Sequence, residues 1–209
     1  MSTIILDHVV KVLRGHTVID DVSMELCSGN IYGIVGSNGS GKTMLLRIIS
    51  GLILPTSGEV TVDGAVLGKD ISFPPDIGIL IEKPEFLGHM TGLGNLQLLA
   101  EIRGKVSAGQ IREFMDMFDL DPDSTKPMRK YSLGMKQKVG IIQAVMEDQN
   151  ILVLDEAFNA LDEKSAGTLR DLLSKYRNDG KLIVVTSHHR EDIDLLCDCV
   201  YHISNGKVE

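Results

Sequence analysis

The sequence has 209 residues, enough for one substantial hydrophobic core and too few for two large independent domains. Its composition, with 43% hydrophobic and 24% charged residues, is that of an ordinary globular protein. The formal net charge of −8 argues against a general nucleic-acid binder, because neutralising phosphates requires a basic surface.

Signals for export or membrane insertion are missing from the sequence. The N-terminal residues carry no basic region and reach a charge too early for a signal peptide. No stretch approaches the roughly 18 consecutive apolar residues of a spanning helix. Three cysteines are too few for a disulfide scaffold and indicate a reducing compartment. We therefore expect a cytoplasmic protein whose only contact with a membrane is through a partner.

The chain begins with β-like segments. Between residues 18 and 26, Val22, Met24 and Leu26 alternate with polar residues, as in a half-buried strand. A second alternating strand lies within 56–64 and ends at an Asp-Gly turn.

Between these segments, a glycine-rich loop separates a predicted strand from a predicted helix. The strand is Ile31–Val35 and the helix starts near Met44, so Gly36–Thr43 has the P-loop pattern G-x-x-x-x-G-K-[ST] in the context that the motif requires. A chance glycine-rich turn is disfavoured because all four fixed positions match. Inward-facing N–H groups and the helix N-terminus would bind phosphate oxygens. Lys42 would reach the β- and γ-phosphates, and the Thr43 hydroxyl would bind Mg²⁺. The residues expected to contact the nucleotide are Gly36, Ser37, Asn38, Gly39, Ser40, Gly41, Lys42, Thr43 and Met44.

The middle of the chain is predicted to be helical. Three helices are predicted after the apolar strand 77–81. The first is 94–103, the second follows a capping box at Ser107 and Gln110, and the third is 132–148. Roughly 60 helical residues are too many for an ordinary crossover between two core strands. We therefore expect one domain over 1–209, with a core of 1–83 and 147–209 and an inserted helical subdomain over about 84–146.

The last third alternates strands and helices. Ile151–Leu154 and Lys181–Thr186 are continuous apolar strands, and helices are predicted after each of them. This pattern indicates a mostly parallel sheet covered on both faces.

Two carboxylates end the strand Ile151–Leu154. Asp155 would ligate Mg²⁺, and Glu156 would act as general base on the attacking water. Acids at a helix N-terminus that merely complement its dipole are the alternative. The P-loop, expected on a neighbouring strand, favours the catalytic interpretation.

At this point the chain resembles the ATP-binding subunits of ATP-binding cassette (ABC) transporters. The resemblance covers essentially the whole chain and rests on motifs in the family's order. These are Walker A at Gly36–Thr43, the Q-loop position at Glu82, the signature at Tyr131–Gln137, Walker B at Ile151–Glu156, the D-loop at Ala160–Asp162 and the switch histidine at His188. It implies the α/β fold of ABC ATPases among the P-loop NTPases: a mostly parallel core sheet, an N-terminal antiparallel β segment and an inserted helical signature subdomain.

The resemblance also implies roles for individual residues. The signature, Ser132, Leu133, Gly134, Met135 and Gln137, would contact the γ-phosphate of ATP bound to another subunit. Leu133 and Met135 replace a small and a polar residue of the usual pattern, so this contact could be altered. A serine-capped ordinary helix is the alternative.

Three further assignments depend on the family. Glu82 replaces the usual glutamine; it would ligate Mg²⁺ or its water shell, would relay motion to a membrane subunit, or is a solvated acid at a strand end. His188 would contact the γ-phosphate and is assigned with Glu156 as catalytic, whereas His189 is a helix-start residue. Leu13 stands where relatives often stack an aromatic residue on adenine, and His16 is the other candidate.

The resulting hypothesis is an ATPase that uses ATP and Mg²⁺ and works as a dimer, the second subunit being identical. It would drive a separate multi-span membrane permease on the cytoplasmic face. The motif variants resemble those of bacterial peptide-antibiotic and lantibiotic exporters, and no nucleic acid is expected as a partner. The alternatives are a non-transport ABC ATPase in translation or DNA repair, which usually has two cassettes or a long insert, and a small-molecule P-loop kinase, which needs no signature helix.

Overall fold

The structure is a computed structural model that describes residues 2–82, 84–187 and 190–208. Its strands are β1 (Thr3–Leu13), β2 (His16–Cys27), β3 (Asn30–Val35), β4 (Ser57–Val62), β5 (Ala65–Val66), β6 (Ile77–Leu80), β7 (Ile151–Leu154), β8 (Leu182–Thr186), β9 (Cys199–Ser204) and β10 (Lys207–Val208). Its helices are α1 (Lys42–Ile49), α2 (Gly92–Arg103), α3 (Ala108–Met117), α4 (Leu133–Val145), α5 (Glu163–Asn178) and α6 (Arg190–Leu196).

The strands form two sheets. β1, β2, β4 and β5 make an antiparallel sheet in the order β2-β1-β4-β5, which confirms the predicted N-terminal β segment. The other six follow the order β10-β9-β3-β8-β7-β6, and all neighbours except β10 and β9 are parallel. β8 lies between β3 and β7, so the expectation that the P-loop strand and the Asp155 strand are direct neighbours was wrong.

The central strands β7 and β8 have no polar face because both of their faces are covered. In β7, Leu152 and Leu154 join a cluster with α2 to α5, whereas Ile151 and Val153 join a cluster with α1 and the antiparallel sheet. β8 alternates in the same way. Each continuous apolar run is therefore a single strand whose alternate residues pack on opposite sides of the sheet.

In the described residues, three α-helices and one short 3-10 helix (Met128–Lys130) lie between β6 and β7. α3 has the predicted capping box, in which Ser107 accepts from the Gln110 N–H and Gln110 reaches back to Ser107. α2 begins at Gly92, earlier than predicted, because Thr91 is its N-cap. α4 begins after Ser132 and ends at Val145, three residues short of the prediction. Within the described residues, no helix combines the length and the apolar character needed to cross a membrane.

Candidate functional site

The glycine loop joins β3 to α1, and its glycines are required by geometry. Gly39 and Gly41 have φ of +78° and +114°, in the left-handed region. A Cβ on Gly36 would lie 2.3 Å from the carbonyl oxygen of Ile203. The backbone can therefore close into a loop whose N–H groups surround an anion only if these positions lack side chains.

Two polar side chains are buried in this loop. Lys42 Nζ donates to the carbonyl oxygens of Gly36 and Ser37 at 2.7 and 3.0 Å. The hydroxyl of Ser40 is buried and finds no hydrogen-bond partner within the described parts of the chain. A buried ammonium and an unpaired buried hydroxyl are groups that phosphate oxygens can satisfy.

Asp155 connects the glycine loop with β7 and β8. Its Oδ2 accepts from the Thr43 hydroxyl at 2.7 Å, and its Oδ1 accepts from the Thr186 hydroxyl at 2.6 Å. The oxygen of Thr186 also accepts from the Glu156 N–H at 2.9 Å. Asp155 reaches Thr43 although β8 separates β7 from β3, because all three strands end at the same edge.

Glu156 is held in a defined orientation. Its φ of +50° is left-handed, which is uncommon for a residue with a side chain. Asn159 Nδ2 donates to Oε2 at 2.5 Å, and Gln137 Nε2 donates to the carbonyl oxygens of Glu156 and Ala157 at 3.1 and 3.2 Å. The carboxylate opens into a cavity of about 570 Å³. The cavity is lined by Thr43, Glu82, Glu85, Leu133, Gln137, Asp155, Glu156, Asn159 and Ala160.

The signature segment lies beside this cavity. Ser132 caps α4 by accepting from the Met135 N–H at 3.2 Å, and Ser132 and Leu133 are exposed. A Cβ on Gly134 would lie 2.5 Å from the carbonyl oxygen of Ala160. Met135 packs against the core, and Gln137 binds the Glu156 segment of its own chain. Within Tyr131–Gln137, Ser132 and Leu133 are the exposed residues, whereas Tyr131 is buried.

Two basic residues at the site were missed by sequence reasoning. Arg47 Nη2 lies 2.6 Å from Glu82 Oε1, and Lys138 Nζ lies 3.0 Å from Asp162 Oδ2. Arg47 follows Thr43 by four residues, so both occupy one face of α1, a spacing visible in the sequence. Lys138 is buried on α4, and the sequence gives no signal of its distant partner.

The pKa of the Asp162 carboxyl, in the D-loop, is lowered by its surroundings. It is the N-cap of α5. The hydrogen bond from the Ser165 N–H, the Lys138 ammonium and the Ser165 hydroxyl together hold the pKa of this carboxyl well below its usual range. The Asp162 carboxylate is therefore negatively charged at neutral pH.

The other predicted site residues do not line the cavity or lie outside the residues that the structure describes. Met44 packs against the α1 core cluster. Leu13 ends β1 opposite His16 and is 39% exposed. His188 and His189 lie outside the described residues.

The arrangement fits a hard divalent cation. The Thr43 hydroxyl and the Asp155 carboxylate are adjacent, and the Glu156 and Glu82 carboxylates line the same cavity. The described segments contain no group of three or more His, Cys, Asp or Glu side chains able to hold a metal by themselves. Mg²⁺ bound through one or two protein oxygens together with substrate phosphates needs no such group.

Comparison with known proteins agrees with this geometry. Residues 19–159, more than half of the chain, match the family model described as ABC transporter. An uncharacterised ABC transporter ATP-binding protein of Bacillus subtilis (strain 168), YybJ, is 42% identical over 97% of this chain and 93% of its own length. The bacitracin transport ATP-binding protein BcrA of Enterococcus faecalis is 35% identical over 91% of this chain, which spans 62% of that protein. The lantibiotic transport ATP-binding protein SrtF of Streptococcus pyogenes is 29% identical over 92% of this chain and 82% of its length.

Solved structures give the same result. The ATP-binding cassette MJ0796, solved as a dimer in a post-hydrolysis state bound to ADP and Pi, superposes with a TM-score of 0.85 at 25% identity, over 99% of this chain and 96% of that one. The predicted fold class is confirmed. The chain belongs to the ABC transporter family, in which it is an ATP-binding subunit that hydrolyses ATP.

Proposed function

We propose that this ATPase uses Mg²⁺·ATP and that its site is assembled around Thr43, Asp155 and Glu156. The hydrogen bond of 2.7 Å between the Thr43 hydroxyl and Asp155 carries the proposal, because it places the two expected Mg²⁺ ligands side by side at the mouth of the glycine loop. Mg²⁺ bound there would neutralise charge on the phosphates.

The chain's own residues supply the remaining chemistry. Lys42 exchanges its carbonyl partners for β- and γ-phosphate oxygens, which keeps the ammonium hydrogen-bonded throughout. Glu156 accepts the proton of the attacking water, and Asn159 orients its carboxylate. His188 contacts the γ-phosphate, as the family pattern implies.

We further propose that two copies enclose the nucleotides. Ser132 and Leu133 are exposed at the N-terminus of α4, where the signature could contact a phosphate on a partner. The dimeric state of the MJ0796 cassette supports this arrangement. An isolated subunit would then bind ATP but hydrolyse it poorly.

A multi-span membrane permease is the proposed second partner, which places the protein at the cytoplasmic face of the membrane. Residues 84–146 form the inserted subdomain of this proposal, and the loop that carries Glu82 connects it to the core. The names of BcrA and SrtF support export of a peptide or antibiotic as the transport reaction. The matches to transport proteins disfavour the non-transport ABC ATPase.

Affinity purification from solubilised membranes tests the permease partner. The tagged chain should co-purify with a multi-span membrane protein and retain ATPase activity. Recovery with ribosomes or DNA, and without any membrane protein, would contradict a role in transport. An untagged strain processed in parallel is the control for adventitious membrane proteins.

A further inference from the structure

Glu82 has an ion-pair partner that the expected metal role does not explain. Its Oε1 lies 2.6 Å from Arg47 Nη2, and the side chains of Arg47 and Glu82 are 31% and 58% exposed. Glu82 also lines the cavity that contains Thr43 and Asp155. The Glu82 carboxylate therefore lies near two cationic groups, the Arg47 guanidinium and the proposed Mg²⁺ ion.

The two positions are related by the geometry of α1. Thr43 and Arg47 are four residues apart, so they lie one turn from each other on the same face of the helix. A carboxylate that moves along this face by one turn would pass from the guanidinium to the hydroxyl. The pair with Arg47 holds this carboxylate at the guanidinium, so direct contact with the metal requires it to move by about one helical turn, roughly 5.4 Å.

The loop that carries Glu82 connects this carboxylate to α4. Glu82 has a φ of +60°, a left-handed conformation that costs free energy for a residue with a side chain. On the other side of this loop, Pro84 packs against α4, where a Cβ on Gly140 would lie 2.8 Å from Pro84 Cγ. A change at Glu82 would therefore reach the helix that begins with the signature.

We propose that Arg47 is a positioning residue that holds Glu82 away from the metal and releases it when Mg²⁺·ATP binds. The inference rests on the proposed Mg²⁺ site. Arg47 competes with the metal for one carboxylate, so its presence weakens metal binding and makes the position of the Glu82 loop depend on whether metal is bound.

The direct measurement is metal affinity in the full-length protein. Mn²⁺ serves as the probe and is titrated in the presence of a non-hydrolysable ATP analogue, with free Mn²⁺ followed by electron paramagnetic resonance. The same titration with the analogue alone is subtracted, because its phosphates bind Mn²⁺ without the protein. Arg47→Ala should bind Mn²⁺ about two- to fivefold more tightly than the wild type, the range expected for loss of a partly exposed ion pair. Arg47→Lys keeps the charge and should return most of the wild-type value.

The Glu82→Gln background identifies the carboxylate as the link. In that background Arg47→Ala should leave Mn²⁺ affinity unchanged, because the competing ion pair is already gone. Arg112→Ala, which removes an arginine on α3 paired with Asp123, is the matched control for loss of one positive charge and should have no effect.

The outcomes separate the two proposals. If the wild type with the nucleotide analogue does not bind Mn²⁺, the proposed metal site is wrong and the role of Arg47 falls with it. If the wild type binds Mn²⁺ but Arg47→Ala does not bind it more tightly, or does so equally in the Glu82→Gln background, only the role of Arg47 is overturned.

Discussion

The ammonium of Lys138 lies 3.0 Å from Oδ2 of Asp162, and this ion pair joins the helix of the signature to the D-loop. One turn earlier on the same helix, Gly134 lies so close to Ala160 that a side chain would not fit. These two contacts tie the start of α4 to the segment that follows Glu156. The surface that we propose for a second subunit and the proposed catalytic carboxylate, Glu156, are thus linked by direct contacts within the same chain.

The contacts of the Asp162 carboxylate with the Ser165 N–H, the Lys138 ammonium and the Ser165 hydroxyl predict a stability difference that depends on pH. The folded-state pKa of Asp162 lies below its ordinary value of 3.8, so the stabilisation is present above that pH and is lost as the pH falls below it. Asp162→Asn keeps an N-cap residue but removes the charge. Urea unfolding should show the variant less stable than the wild type at pH 6, with the gap shrinking towards pH 3. A gap that does not change with pH would contradict the ionic contribution. The exposed Asp171→Asn is the control.

Glu156→Gln should keep ATP binding and nearly abolish hydrolysis, because an amide cannot take the proton of the attacking water. The Asn159 contact has an oxygen partner in either residue, so we expect the local geometry to persist. ATP-loaded dimers should accumulate and can be detected by light scattering during size exclusion. Glu101→Gln, an exposed substitution on α2, controls for loss of a carboxylate. Turnover close to that of the wild type would overturn the general-base assignment.

Lys42→Ala should weaken nucleotide binding by on the order of 2–3 kcal/mol, or roughly 30- to 150-fold in Kd, as expected for loss of a charge-assisted contact. The variant also removes the hydrogen bonds that Lys42 donates to the carbonyl oxygens of Gly36 and Ser37, of which Ser37 keeps the Ser40 N–H as a donor. Isothermal titration with ATP gives the affinity. Lys175→Ala on the exposed surface of α5 should bind as the wild type does. An unchanged Kd in Lys42→Ala would refute the phosphate contact.

Gly140→Ala should destabilise the fold by about 1–3 kcal/mol, because the new methyl group overlaps Pro84 and approaches Leu80 within 3.0 Å. Gly167→Ala is the matched control within α5, where a Cβ meets no atom within 4 Å. It should stabilise by roughly 0.5–1 kcal/mol, since alanine is the better helix former. Thermal unfolding of both variants measures the contrast. Equal effects in the two helices would show that Gly140 is not needed for the approach of the loop.

Much of the fold was predictable because it depends on local pattern. Periodicity located the buried strands, and the capping box of Ser107 and Gln110 marked the start of α3 correctly. The sheet order was not predictable in the same way, because nothing in the sequence of β8 says that it enters between β3 and β7. Strand neighbours are chosen by tertiary packing, and an apolar strand fits at several places in a parallel sheet.

In the candidate site, too, some features were predictable from the sequence and others were not. The P-loop and the acids after β7 are contiguous motifs, so their residues could be named in advance. Arg47 with Glu82 and Lys138 with Asp162 are side-chain pairs separated by 35 and 24 positions, and their existence depends on loop paths. The left-handed backbone at Glu82, Glu156 and Ala160 was also invisible, because glycine did not mark these positions.

The insertion of β8 has a consequence for how the protein is made. The strand that bears the glycine loop and the strand that bears Asp155 have no ladder of hydrogen bonds between them until β8 pairs with both. During synthesis, a chain that has grown only past Glu156 contains the glycine loop and Asp155 yet lacks the strand that brings them together. The ability to bind ATP should thus arise late in translation, once residues up to Thr186 have left the ribosome.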